Sequence, residues 1–89
     1  MNSTTLYKEN RRQLIARFNG AEEGILSLEK TIESRPQFTR AIREINGYAI
    51  YEKSASVTIF DRLMYSKYNI TICYVVHIET NVIILNNIY

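Results

Sequence analysis

The sequence has 89 residues, of which 46% are hydrophobic and 22% are charged, and its formal net charge is +2. This length allows one domain, residues 1–89, with a single core, and the composition excludes an intrinsically disordered chain. A net charge this close to zero does not by itself indicate a nucleic-acid-binding protein.

Cysteine and histidine usage also narrows the possible chemistry. The only cysteine, Cys73, excludes an intramolecular disulfide and favours a reducing compartment. Cys73 and His77, the only histidine, supply two ligands, which are too few for a Cys/His zinc site. We therefore expect neither a metal nor a cofactor. The polar start of the chain lacks the apolar segment of a secretory signal, and no apolar stretch approaches the ~20 residues that span a membrane. We therefore expect a cytoplasmic protein that does not contact a membrane.

Two segments near the start of the chain have helical periodicity. We predict helices over about residues 4–18 and 21–34, joined by Asn19-Gly20, which suits the left-handed geometry of a helix C-terminus. Each helix carries an apolar stripe, with Tyr7, Leu14, Ile15 and Phe18 in the first and Ala21, Ile25, Leu28 and Ile32 in the second. Two helices with so short a link are expected to form an antiparallel hairpin.

A proline marks the end of the second helix and the predicted start of a third. Pro36 disfavours helical geometry at Arg35, but its missing N–H is harmless at the first position of a new helix. The sequence thus predicts a short helix over about residues 36–45, which Asn46-Gly47 ends.

From Tyr48 onward the apolar residues alternate with a period of two, which is typical of strands. We predict strands over about residues 48–52, 56–60, 70–77 and 82–88, with a fragment or a bend near Leu63–Tyr65 and a hairpin turn after His77. The third of these strands is nearly all apolar, which is typical of a central strand covered on both faces. The predicted class is α+β, in which an N-terminal helical hairpin and a short third helix pack on a three- to four-stranded antiparallel sheet.

Catalytic motifs are missing from the sequence. The three glycines are scattered, so they form no phosphate-binding loop, and Ser54-Ala55-Ser56 lacks the glycines of a nucleophile elbow. Cys73 and His77 on one strand would be ~13 Å apart, too far for a nucleophile pair. We interpret Cys73 as a buried thiol in a central strand, and the catalytic residues stay unknown.

Arginine, lysine and tyrosine side chains are interleaved in several segments. Arginine for phosphate and tyrosine for base stacking are typical of RNA recognition, and the same two residue types are enriched at protein–protein hot spots. A solvated helix face and half-buried sheet tyrosines are the simpler structural alternatives. The candidate RNA- or partner-binding residues are Lys53, Arg62, Lys67, Tyr65, Tyr68, Arg11, Arg12, Arg40 and Arg43.

A larger pattern covers about residues 21–89. The helical segment and its break read LEKTIESRPQFTRAIREINGY, and the last two strands read ITICYVV and NVIILNNIY. This arrangement resembles the RelE/ParE superfamily of small bacterial toxins, whose penultimate strand commonly reads Tyr-Arg-Ile-x-Tyr-x-Val. The resemblance implies a ribosome-dependent mRNA endonuclease or a gyrase inhibitor that is neutralised by an antitoxin.

The sequence departs from this family in three ways. The family usually begins with a strand, which the first residues of this chain do not resemble, and Thr71 stands where the family has an arginine. Family catalytic residues lie on or beyond the last strand, whereas this sequence stops at Tyr89. A cation near the scissile phosphate stabilises developing charge, so the catalytic ending is expected to be missing and enzymatic activity, which would be that of a ribonuclease, stays open.

Three hypotheses follow from these patterns. The first is a RelE/ParE-like toxin-type protein that acts on RNA or on a translation or replication target. The second is a small non-enzymatic inhibitor, immunity protein or phage-type host modulator that masks a protein partner. The third is an oligomer, with a homodimer formed through an edge strand of the sheet.

Overall fold

A computed structural model describes residues 1–37 and 40–89, and it confirms the predicted α+β class. The elements in chain order are β1 (Asn2–Ser3), α1 (Thr5–Arg17), α2 (Ala21–Ser34), β2 (Arg43–Ile45), β3 (Tyr48–Asp61), β4 (Met64–His77) and β5 (Ile83–Ile88). The strands form one sheet with the order β1-β5-β4-β3-β2. Strand β1 is parallel to β5, and the other neighbours are antiparallel.

The two helices lie on one face of the sheet, α1 over β5 and α2 over β3. Helix α1 begins where the side chain of Thr4 accepts a hydrogen bond from the Tyr7 N–H at 3.0 Å. Helix α2 approaches β3 closely because Gly24 has no side chain, and a Cβ there would lie 2.3 Å from Cγ1 of Val57. The glycine therefore sets the depth at which α2 packs.

The core lies between the helices and this face of the sheet. Every second residue of β3 and β4 points into it, which agrees with the predicted period of two. The fully buried side chains of the largest volume are Tyr7, Tyr74, Ile25, Ile32, Ile70, Ile72, Ile88 and Val76. Buried polar groups are bonded: Tyr7 Oη donates to Glu29 Oε2 at 2.6 Å, and Tyr74 Oη donates to the Pro36 carbonyl at 2.7 Å.

The predicted helix over residues 36–45 is wrong where the structure describes it. Pro36 and Gln37 form a turn, and Arg43–Ile45 form β2, which pairs with the start of β3; residues 38–39 of the predicted helix lie outside the described residues. Asn46 and Gly47 both have positive φ, 51° and 82°, as a two-residue hairpin turn requires. The Asn-Gly pair thus joins two strands instead of ending a helix.

The predicted separation of strands 48–52 and 56–60 is also wrong, because β3 continues without interruption from Tyr48 to Asp61. Strand β4 begins at Met64, well before the predicted residue 70, and pairs with β3 along its whole length. Ser54, Ser56 and Thr58 do not interrupt β3, because they occupy the face that the helices leave open. Lys53 lies on the other face, under the end of α2. The predicted fragment at Leu63–Tyr65 is the turn of this long hairpin and the start of β4.

The sheet has five strands and is mixed, which corrects the prediction of three or four antiparallel strands. The additional strands are β2 and β1, and β1 was expected to be absent. Asn2 and Ser3 pair with Ile84 and Leu85, and the Thr4 N–H donates to the Leu85 carbonyl at 3.0 Å. Two residues are too few to give a periodic pattern, so such a strand leaves no signal in the sequence.

The molecule is elongated, with extents of 48 × 24 × 18 Å. Strands β3 and β4 have 14 residues each and extend beyond β2 and β5. The connection between α1 and α2 reaches nearly to the hairpin turn, because the Phe60 N–H donates to the Asn19 carbonyl at 2.8 Å. Within residues 1–37 and 40–89, no helix is long and apolar enough to cross a membrane.

Candidate interaction surfaces

The sheet has an open face that the two helices do not cover. At one end of this face, Ile50, Val75 and Ile84 lie side by side on β3, β4 and β5 and are half-buried. We call these three residues the basal patch. The patch explains why residues 70–76 are apolar at nearly every position, although helices cover only one side of that strand.

At the other end of the hairpin, residues 60–65 form what we call the hairpin tip. Leu63 is 93% exposed, Tyr65 75% and Met64 71%, and the Phe60 and Tyr65 rings lie 5.2 Å apart on the open face. Such large apolar side chains are seldom grouped in solvent unless they bind something.

Arg62, in the turn of the tip, has a strained backbone. Its φ of 57° lies in the left-handed region that favours glycine. An arginine in this conformation costs ~1–2 kcal/mol relative to the right-handed region. The two-residue turn between Asp61 and Met64 requires a positive φ at this position, where glycine, asparagine or aspartate is usual.

Of the nine predicted binding residues, the two on α1 are engaged in ion pairs. Arg11 forms a two-pronged pair with Glu29 of α2, with N–O distances of 2.9 and 3.0 Å, and this hydrogen bonding raises the pKa of Arg11. Arg12 pairs with Glu9 one turn away, which lowers the pKa of that carboxyl. Arg11 therefore links the two helices, and both guanidinium groups already have carboxylate partners.

Three predicted residues do come together. Arg62, Tyr65 and Lys67 lie at the tip end of the hairpin, and Tyr65 and Lys67 share the open face. The Lys67 ammonium donates to Thr58 Oγ1 at 2.8 Å.

Tyr68 and Lys53 lie on the opposite, helix-covered face. The Tyr68 ring packs on Phe18 with 4.4 Å between centroids, and Lys53 lies under the end of α2 beside Ser34 and Arg35. These two residues are therefore separated from Tyr65 and Lys67 by the thickness of the sheet.

The remaining two candidates, Arg40 and Arg43, lie far from the tip. Arg40 is exposed in the connection before β2, and Arg43 pairs with Ile50 at the edge of the sheet. The structure therefore divides the nine residues among several surfaces.

Cys73 is half-buried on the open face, so the sequence-based interpretation of a buried core thiol is wrong in its placement. Its Sγ lies 3.6 Å from Glu52 Oε1. Burial, followed by the charge of Glu52, raises the pKa of the thiol. The thiol is therefore protonated at neutral pH and is a poor nucleophile. His77 is bonded elsewhere, through Nδ1 to Thr80 Oγ1 at 2.9 Å.

The surface depressions do not gather reactive groups. The cleft between α1 and β5 has a volume of about 300 Å³ and is lined by Asn10, Gln13, Leu14, Arg17, Tyr68, Ile88 and Tyr89. Across the described ranges 1–37 and 40–89, no group of three or more His, Cys, Asp or Glu side chains could hold a metal ion.

Sequence reasoning missed the basal patch and two exposed apolar residues of the tip, Leu63 and Met64. A signal for the tip was present, because the apolar pair sits in a turn between strands, where side chains have no core to enter.

Comparisons with protein-family models, with curated proteins and with solved structures gave no significant match. Functional inference therefore depends on the surfaces described above.

Proposed function

We propose that this chain is a small non-enzymatic binding protein that engages a protein partner with its hairpin tip. The observation that carries the proposal is the exposure of Leu63 and Met64 at the turn of the β3–β4 hairpin, just beyond Phe60, where the connection between the helices contacts β3. Methionine, tyrosine and arginine are enriched in protein interfaces, and the tip combines them with an aromatic pair.

The chemistry of the tip indicates the kind of partner. Leu63 and Met64 fit an apolar cleft, and Arg62 beside them fits acidic groups at the rim of that cleft. The strained backbone of Arg62 supports this proposal, since a glycine would suit the conformation better but would carry no charge. We place the protein in the cytoplasm, where Cys73 would remain a thiol.

Affinity capture from lysate of the cells that express this chain tests the proposal. We expect the double variant Leu63→Ser, Met64→Ser to bind the captured partner about tenfold or more weakly, because exposed apolar anchors supply most of the affinity of such an interface. The matched control is Leu6→Gln, Leu26→Gln, which changes two exposed leucines on the helices and is expected to retain the partner.

Arg62→Gly separates function from folding, because glycine suits a φ of 57°. We expect this variant to fold normally and to bind more weakly. Retention of the same partner, at the same affinity, by the Leu63, Met64 variant would contradict the proposal.

A RelE/ParE-like toxin-type protein that acts on RNA is the second candidate. Strand β1 supports it, because this family usually begins with a strand before its first helix, and that strand is present at Asn2–Ser3. The grouping of Arg62, Tyr65 and Lys67 at one end of the open face is a second supporting observation.

Controlled expression in bacteria distinguishes the two candidates. A toxin-type protein is expected to arrest growth, and Arg62→Ala with Lys67→Ala is expected to relieve the arrest. Lys8→Ala with Lys30→Ala, which removes two exposed cations on the helices, is the control and is expected to leave the arrest unchanged. Normal growth with wild-type expression would count against the toxin-type candidate and leave the binding protein.

A further inference from the structure

The side chains on the open face of the hairpin follow a repeating order in cross-strand pairs. From the base to the tip, these pairs are Ile50 and Val75, Glu52 and Cys73, Ser54 and Thr71, Ser56 and Asn69, Thr58 and Lys67, and Phe60 and Tyr65. Partners in a pair share a face of the sheet, and successive pairs along this series alternate with the pairs that face the helices.

This order is self-complementary about the position of Ala55. Apolar pairs lie at both ends, at equal sequence distance from Ala55, and small polar pairs lie on either side of the centre. The acidic Glu52 and the basic Lys67 occupy equivalent positions on opposite sides of the same centre. Across residues 1–37 and 40–89, neither of these two is in an ion pair.

We infer that a second copy of this chain covers the open face, packed face to face about a two-fold axis that crosses the strands near Ala55 and Ile70. In this arrangement the basal patch of one copy lies against Phe60 and Tyr65 of the other. Because the axis crosses the strands, β3 of one copy lies over β3 of the other. Glu52 of each copy then lies diagonally opposite Lys67 of the other, displaced sideways by one strand spacing of ~4.8 Å, so two such pairs of opposite charge form. The interface is isologous and closes with two copies.

The shared surface suits a weak dimer. With a rise of about 3.3 Å per residue and strands about 4.8 Å apart, the open face of the β3–β4 hairpin, which is the part that the two copies share, has a footprint on the order of 450 Å². This is about half of the roughly 800 Å² that each partner buries in a standard interface, as in weak and transient complexes. Sheets packed in this way are aligned at about 30°, which accommodates the twist of each hairpin.

The free edge of β3 is a poorer site for a second copy. Its ends are occupied, because the Phe60 N–H donates to the Asn19 carbonyl and the Ile50 carbonyl accepts from the Ile42 N–H, both at 2.8 Å. Between them Lys53 is half-buried on the helix-covered face, and an inward-pointing charge on an edge strand is a common protection against edge pairing. Face packing is therefore favoured over the edge-strand homodimer that was the third hypothesis from the sequence.

The dimer interface would include Phe60 and Tyr65 of the hairpin tip, but it would leave out Leu63 and Met64, the two residues that carry the proposed function. Because the two hairpins would run in opposite directions, Leu63 and Met64 would lie at the two ends of the dimer and remain free to bind partners. The dimer would present two tips, which raises the avidity for a partner that has two binding sites.

Measurement of molar mass against protein concentration, by light scattering or sedimentation, is the first test. We expect the mass to rise from that of one chain, 10.4 kDa, to that of two. Val75→Lys, on the basal patch, is expected to keep the mass of one chain, and Leu26→Lys, an equally drastic change at an exposed helix position, is expected to dimerise as the wild type does. A wild-type mass of one chain at all concentrations up to about 1 mM, the range of Kd values for weak complexes, would overturn the inference.

Charge reversal tests the proposed register. Glu52→Lys and Lys67→Glu are each expected to weaken dimerisation about tenfold or more, because each places like charges opposite one another. A mixture of the two variants is expected to form a mixed dimer, visible by native mass spectrometry, since the charges are then opposite at both contacts. Within one copy the two positions are ~20 Å apart, so this rescue requires contact between copies. Wild-type-like dimers of the single variants, or no mixed dimer, would overturn the inference.

Cys73 provides a test in the unmodified protein, which does not depend on how the variants fold. The interface would cover its thiol, so the alkylation rate per molecule is expected to fall as the protein concentration rises through the dimerisation range. An alkylation rate that does not change while the mass doubles would place the interface elsewhere and overturn the inference.

Discussion

The helix-covered face and the open face are built from the same strands, yet they are packed very differently. On the helix-covered face, Ile72 and Val76 of β4 are 0% exposed, whereas Cys73 and Val75, their neighbours in the chain, are half-buried on the open face. Adjacent residues of a strand point to opposite sides. One residue of each such pair stabilises the single chain, and the next is available to another molecule.

The sharpest test of this comparison uses two adjacent valines. Val76→Ala is expected to lower the free energy of unfolding by about 2–3 kcal/mol, because it removes buried methyl groups and leaves a cavity. Val75→Ala is expected to cost less than about 1 kcal/mol in the single chain, since its site is half-exposed. Denaturant unfolding at low protein concentration measures both, and equal losses would contradict the difference between the faces.

The hydroxyl of Tyr7 is expected to matter nearly as much. Tyr7→Phe removes the donor to Glu29 Oε2 at 2.6 Å, a buried bond to a charged group that is worth about 1.5 kcal/mol. Thermal or denaturant unfolding measures the loss. A change within experimental error would show that the Arg11–Glu29 pair alone satisfies the carboxylate.

The same tyrosine gives the protein an alkaline limit. Burial and the bond to Glu29 raise the pKa of Tyr7, and burial raises the pKa of Tyr74 to about 12, whereas tyrosines in the unfolded chain titrate near about 10. Above about pH 10 the folded chain holds protons that the unfolded chain releases, so stability is complete below that pH and falls as the pH rises. The free energy of unfolding, measured at several pH values above about 10, is expected to fall less steeply with pH in Tyr7→Phe than in the wild type. Equal pH dependence in the two proteins would contradict this assignment.

Gly24 tests the distance between α2 and the sheet. Gly24→Ala places a Cβ 2.3 Å from Val57 Cγ1, and we expect a net loss of about 1 kcal/mol, because overpacking outweighs the gain of about 1 kcal/mol in helix propensity. In a Val57→Ala background the added methyl group has room, so the same change is expected to be neutral or stabilising. A double-mutant cycle without such coupling would contradict this packing.

The smallest effect is expected on the open face. Ser54 Oγ and Thr71 Oγ1 lie 2.8 Å apart in an exposed hydroxyl pair, and Ser54→Ala is expected to change the stability of the single chain by no more than about 0.5 kcal/mol, since Thr71 can bond to water instead. Compared with Tyr7→Phe, this measures how much burial adds to the value of a hydroxyl hydrogen bond.

The layer of helices was predictable because its residues repeat a clear pattern. The stripe from Ala21 to Ile32 points at the sheet, and all four of its residues are buried. The rest of the chain was harder because one signal has two structural meanings. Asn46-Gly47 suits both the end of a helix and a hairpin turn, and only the strand partner of Arg43–Ile45 distinguishes them.

The candidate surfaces were predictable only in part. Arg62, Tyr65 and Lys67 were chosen for their chemistry and lie together, but Tyr68 lies on the other face, because the parity of a strand position depends on a register that the sequence does not state. The two-sided apolar character of residues 70–76 was visible, yet the sequence does not say whether a helix or another molecule covers the second side.

The pairing of β1 with β5 has a consequence for the order in which the protein folds. Thr4 Oγ1 donates to the Asn86 carbonyl at 2.8 Å, across a separation of 82 residues, whereas the β3–β4 hairpin joins residues that are close in the chain. Contacts between distant residues carry a large loop-closure cost and form slowly. We therefore expect the hairpin to form early and β1 to dock last. During synthesis on the ribosome, β1 would emerge first and remain without its partner until β5 has been made.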